Sequence, residues 1–365
     1  MKGLASIRCL RWSTGLPLVL LAGIAWAEGC TSATSACTEW VTVADGPARA
    51  LVYRNHALGA VNEGIRRALV TIHGQSRDAD NYFRHALAAA FLAGALENTL
   101  IISVRFASSA GRRCRDTLAP DELNWVCSGR GSWRNGAPAI GNAQITSYDV
   151  VDEVLRRLAR NDIFPNLKVM VVAGHSAGGQ FAARYGMVNR IHGRLGVPVT
   201  YVVANPSSYT YLDSLRPTAG AILPAVAAAA PGYIAPRRAE PPAAFARPAD
   251  ARDCTAYDNW PYGLQNRTGY STRLTDEQLK QQFAGRHTIY LVGELDILPL
   301  YGFDTSCSAM AQGPTRLARG LAFGKYANEN YGAQHKTLVI PACGHSARCM
   351  MTAEPVLPLI FPKVN

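Results

Sequence analysis

The chain has 365 residues, with 37 Lys and Arg against 26 Asp and Glu, a formal net charge of +11. That length allows one large domain or two small ones. The basic residues are spread along the chain without an interleaved aromatic or helix-turn-helix pattern, so they read as a solvated surface and no nucleic-acid partner is expected.

The first 27 residues have the layout of an export signal. Lys2, Arg8 and Arg11 form the positive start, Leu16 to Trp26 the apolar stretch, and Ala25-Trp26-Ala27 the small-residue cleavage site. The apolar stretch is too short to span a bilayer, and no other segment is long and apolar enough to do so. The expected mature chain starts near Glu28, is secreted or periplasmic, and keeps a net charge of about +8. Cys30 is weighed as a lipid-anchor site, but the preceding Ala27-Glu28-Gly29 carries a charge and lacks the expected leucine.

Eight cysteines remain after the signal, an even number that favours disulfides in an exported chain. Sequence proximity alone suggests Cys30–Cys37, Cys114–Cys127 and Cys343–Cys349, which leaves Cys254 with Cys307. No Cys/His spacing of a zinc site occurs, and neither a metal nor a cofactor is expected.

Residues 66–75, "RRALVTIHGQ", read as a strand ending in His73-Gly74. The amide of Gln75 or Ser76, just past that glycine, is a candidate oxyanion donor. A helix is expected over 81–98 and a strand over 98–106. Residues 107–146 are too long for an ordinary connection and read as an insertion. Its Trp125 and Trp133 are candidate substrate-cleft walls, with anchoring of the insertion as the competing reading. The segment 147–161 places Val150, Val151, Val154, Leu155 and Leu158 on one helical face.

The strand "KVMVVAG" then runs into Gly174-His175-Ser176-Ala177-Gly178 and a helical stretch, which is the setting a G-x-S-x-G motif requires. A serine on so sharp a turn needs small neighbours, and its hydroxyl then stands above the sheet. Ser176 is the candidate nucleophile and the Ala177 amide the first oxyanion donor. His175, beside the nucleophile, is a candidate substrate contact.

A strand follows at 199–207, then a Pro/Ala-rich stretch over 216–250 that reads as a second insertion. Tyr257, Trp260 and Tyr262 read as packing groups or cleft walls, and Asn266-Arg267-Thr268 fits a weak glycosylation pattern. The last two strand candidates lie within the stretches 287–296 and 336–345. Asp296 lies just beyond the first, with Glu294 and Asp304 as rivals for the acid. His345 follows the second, whereas His335 and His287 sit at strand starts and His192 lies behind the serine's helix. The carboxyl-edge position selects His345 as the base.

With "GHSAGG", "HGQ", "GELD" and "CGHS" in this order, residues 66–350 resemble the α/β-hydrolase superfamily, and most of all its secreted esterases and depolymerases. The resemblance implies an α/β-hydrolase fold in one domain over 28–365, with a mostly parallel eight-stranded sheet, helices on both faces and loop insertions. It also implies a Ser176–Asp296–His345 triad. The expected activity is hydrolysis of a carboxylic ester, small or polymeric, through an acyl-enzyme. An amidase or peptidase with the same triad, or a binding protein on a hydrolase scaffold, are the alternatives.

Overall fold

The computed structural model describes residues 29–111, 114–218, 244–248, 253–300 and 302–364. The proposed signal segment 1–27 and most of the Pro/Ala-rich stretch lie outside them.

Eight strands form the central sheet: β1 (Thr38–Thr42), β2 (Arg49–Arg54), β3 (Arg67–Ile72), β4 (Thr99–Val104), β5 (Val169–His175), β6 (Val199–Ala204), β7 (His287–Gly293) and β8 (Lys336–Ile340). Their spatial order is β1-β2-β4-β3-β5-β6-β7-β8. Strands β4, β3, β5, β6, β7 and β8 pair in parallel, and β1 and β2 are antiparallel. This is the mostly parallel eight-stranded sheet expected. The hairpin of β1 and β2 is the part not anticipated. Only Val41 is buried in β1, so an edge strand with one covered position carries little apolar signal. The Asp45-Gly46-Pro47 turn between the two strands was its best marker.

The central strands are buried on both faces because helices cover both. Helix α1 (Ala79–Leu92) and the short α6 (Ala347–Thr352) close one side, where Leu69, Ile101, Val171, Val202 and Leu291 point. Helices α2 (Ser147–Leu158), α3 (Ala177–Val188), α4 (Asp276–Gly285) and α5 (Arg316–Tyr331) cover the other, over Val70, Ile102, Val172, Tyr201 and Tyr290. The alternation of these strand residues between two cores follows from the two-residue side-chain period of a strand.

Residues 107–146 lie against the sheet through aromatic groups. Trp125 and Trp133 are fully buried. Trp133 stacks on Phe106 with centroids 5.2 Å apart and meets the His73 ring at 4.7 Å. Both tryptophans therefore anchor the insertion; with no exposed surface, neither can wall a substrate cleft as expected. Trp260 is equally buried and donates from its indole to the Asn135 carbonyl.

The two ends of the Pro/Ala-rich stretch meet, since Arg216–Pro217 pairs antiparallel with Phe245–Ala246. The chain thus leaves and returns at one place. Cysteine pairs 30–37, 114–127, 254–307 and 343–349 all lie at bonding distance, with Cα separations of 5.6, 6.0, 5.8 and 5.7 Å. Among the described residues no helix is long and apolar enough to cross a membrane.

Candidate active site

Parallel strands deliver the ends of β3, β5, β7 and β8 to one edge of the sheet, and every catalytic candidate follows one of those ends. Ser176 comes directly after β5 and caps α3. Its backbone lies at φ 60° and ψ −119°, a positive-φ conformation that costs a non-glycine residue roughly 1–3 kcal/mol. Two glycines make the turn possible by close approach. A Cβ on Gly174 would lie 2.0 Å from the Gly178 carbonyl oxygen, and one on Gly178 would lie 2.0 Å from that of Ile72. The strained turn is held by the Ser176 amide donating to the Ala204 carbonyl at 2.9 Å.

The Ser176 hydroxyl is 2.9 Å from His345 Nε2, and His345 Nδ1 is 2.7 Å from Asp296 Oδ2. A carboxylate can only accept, so Nδ1 carries the proton and Nε2 is left to accept from the hydroxyl. The rivals are occupied elsewhere. Glu294 accepts from the Ala342 amide and so ties the two loops together. Asp304 accepts from Tyr262 and Ser306. His335 is buried between Tyr290 and the Phe283 carbonyl, His287 meets Thr200, and His192 meets Tyr201.

Three groups hold this arrangement, and two of them, Arg316 and Asn205, are ones that the sequence reading did not single out. Arg316, at the start of α5, places Nη1 3.2 Å from Asp296 Oδ1, and neither side chain is exposed. The same guanidinium donates to Ser207 Oγ and the Leu300 carbonyl. Asn205, directly after β6 and fully buried, accepts from the Gly293 amide at 2.7 Å and donates to the Gly344 carbonyl at 3.2 Å. One side chain thus joins the loop of Asp296 to the loop of His345. His73 accepts from the Phe106 amide at Nε2 and donates from Nδ1 to the Gly74 carbonyl at 2.9 Å. Burial pushes its pKa down to about 4, so the ring is a neutral structural link. Asn205 had a sequence signal in its place at a strand's carboxyl end, and Arg316 in the Thr315 cap before a helix. Neither signal is specific.

Gly74 runs beside Ser176: a Cβ there would lie 3.8 Å from that of the serine. Its carbonyl is drawn to His73 and to the Arg77 amide. The amide of the same peptide unit, that of Gln75, must point the opposite way. Gln75 donates from its side chain to the Cys127 carbonyl, which fastens the loop to the insertion. His175 is buried, with Nδ1 3.2 Å from the Tyr82 hydroxyl and its ring 4.6 Å from that of His345. Burial first, then the neighbouring His345, hold its pKa well below the usual imidazole range. It packs behind the His345 ring, and its burial leaves it no cleft surface for the substrate contact expected of it.

The sequence profile of the alpha/beta hydrolase family matches residues 69–357, and the chain belongs to that family. No curated protein matches it. Among solved structures it is similar to LpqC, a poly(3-hydroxybutyrate) depolymerase from Bordetella parapertussis. The identity is 22% over 88% of this chain and 87% of that one, with a TM-score of 0.55. It is also similar to poly(aspartic acid) hydrolase-1 from Sphingomonas sp. KT-1, at 18% identity over 89% and 97%, with a TM-score of 0.56. At these identities the likeness is one of fold.

Proposed function

We propose that the protein is a serine hydrolase that cleaves carboxylic esters. The observation that carries this reading is the unbroken line of hydrogen bonds from Ser176 through His345 to Asp296. In the first half-reaction Ser176 Oγ attacks the ester carbonyl while its proton passes to His345 Nε2. Asp296 keeps the imidazole oriented and stabilises the imidazolium. The amides of Ala177 and Gln75 take up the charge on the carbonyl oxygen. Collapse of the tetrahedral intermediate expels the alcohol, which leaves with the proton from His345. Water, deprotonated by the same histidine, then attacks the acyl-enzyme, and the acid is released as Ser176 regains its proton.

Nothing in these steps calls on a metal or cofactor. Four cysteine pairs at bonding distance and the amino-terminal pattern support an exported protein working in an oxidising compartment. A matched panel of nitrophenyl esters and nitroanilides tests the reading. Faster turnover of esters is expected; faster turnover of anilides would favour an amidase. Tight ligand binding without turnover would favour a binding protein.

A further inference from the structure

Arg134 lies in the same insertion that holds the oxyanion loop. It sits on the single turn Trp133–Asn135, fixed on one side by the buried Trp133 and on the other by buried Asn135. Asn135 donates to the Gly129 and Arg130 carbonyls and accepts from Arg184. The Arg134 guanidinium donates from Nη1 to Gln180 Oε1 at 3.1 Å and from Nε to Ser132 Oγ at 3.2 Å. Gln180 is one helical turn beyond Ser176 on α3, about 6 Å along the axis, and helical side chains lean back towards the N-terminus. Gln75 on one side and Gln180 on the other therefore tie the insertion to the ground around Ser176.

Both partners of this guanidinium are neutral, and among the described residues no carboxylate pairs with it and its Nη2 has no partner. Arg184, directly behind, is also held by neutral groups: Thr210, Asn135 and Ser208. The acid whose charge acts on Arg134 is Asp304, whose carboxylate already accepts from Tyr262 and Ser306. Asp296 is taken by Arg316 and His345. Desolvation lowers the pKa of Arg134 and brings that of Arg184 down to about 10, so both charges are held at a cost. The positive N-terminal end of α3 adds to the same field.

We infer that Arg134 is an anchor for a carboxylate carried by the substrate, and that the preferred substrates are esters with an anionic group near the scissile bond. A planar guanidinium locked by two neutral acceptors keeps its remaining donors free for a carboxylate. The inference rests on the hydrolase reading above and narrows its substrate class.

Two matched pairs of esters test it. Nitrophenyl hydrogen glutarate and its methyl ester place the charge on the acyl side. Acetoxybenzoate and its methyl ester place it on the leaving side. In the wild type, kcat/KM for the charged member of at least one pair should exceed that of its neutral partner by about ten-fold or more. Arg134→Gln should bring that ratio close to one, and Arg134→Lys should restore part of it. In the wild type alone, raising NaCl from about 0.05 to about 0.5 M should shrink the same ratio. This arm needs no variant that folds. Equal rates within both pairs, or a ratio that Arg134→Gln leaves unchanged, overturns the inference while the hydrolase reading stands. No turnover of any of the four, together with no fluorophosphonate labelling of Ser176, overturns both.

Discussion

Arg316 Nη1 lies 3.2 Å from Asp296 Oδ1, while the other oxygen of that carboxylate faces His345. Asp296 thus has one oxygen for an ion pair and one for His345. Buried charges of opposite sign tolerate each other only while both are present. Arg316→Met should lower stability by about 3–5 kcal/mol and reduce kcat, because Asp296 is left buried without its counter-charge. Urea unfolding alongside steady-state kinetics measures both. A variant as stable as wild type would mean that Asp296 does not depend on this pair.

Asn205 should matter for rate more than for binding. Its side chain spans the loops that carry Asp296 and His345, so Asn205→Ala frees Gly293 and Gly344 to drift. Displacements of about 1 Å at such a site cost roughly a hundred-fold in rate. The expected result is a kcat reduced by one to two orders of magnitude with KM little changed. Far-ultraviolet circular dichroism verifies that the fold is kept.

The Cys343–Cys349 pair brackets His345 in a loop with a separation of six residues. A loop that short restrains little unfolded-chain entropy, so its effect should be local. Replacing both cysteines by alanine should lower kcat by about ten-fold while shifting the melting temperature by only a few degrees. Kinetics and differential scanning calorimetry on the double variant separate the two effects.

Asp152 sets a pH dependence of stability. It is fully buried on α2 and accepts from the Tyr185 and Tyr270 hydroxyls at 2.7 and 2.8 Å. Arg156 stands off at 3.8 Å on the solvent side, and Asp149 opposes ionisation. Burial is the largest cause and raises the pKa from 3.8 to about 6. The folded value lies above the unfolded one, so this residue's contribution is fully present below about pH 4 and is lost as pH rises through 6. The loss is on the order of 3 kcal/mol. Buried His73 and His335 and half-buried His192 are depressed to about 4 and work in the opposite sense, their contribution fading as pH falls from 6.5 towards 4. Subtracting the profile of Asp152→Asn from wild type isolates the carboxyl. A flat difference between pH 4 and 7 would contradict the assignment.

What the sequence reveals depends on how local each constraint is. The turn around Ser176 can be read because its glycines answer to contacts within a few residues and to one neighbouring strand. Asp296 and His345 can be read because a parallel sheet sends strand ends to one edge, so chain order becomes spatial order. Asn205 and Arg316 act through contacts 88, 139 and 20 residues away, and no local pattern distinguishes them from an ordinary turn residue and a surface arginine. The tryptophans show the converse. Composition marks Trp125 and Trp133 as notable but carries no information on whether an aromatic group faces a cleft or the core.

The most direct measurement is the intact mass of the protein after treatment with a fluorophosphonate, for wild type and Ser176→Ala. A single adduct on the wild type, mapped by peptide digestion to Ser176 and absent from the variant, is the expected result. It should be accompanied by a loss of esterase rate of about 10⁴-fold or more in the variant. Equal labelling of both proteins, or full ester turnover by Ser176→Ala, would contradict the assignment of Ser176 as nucleophile.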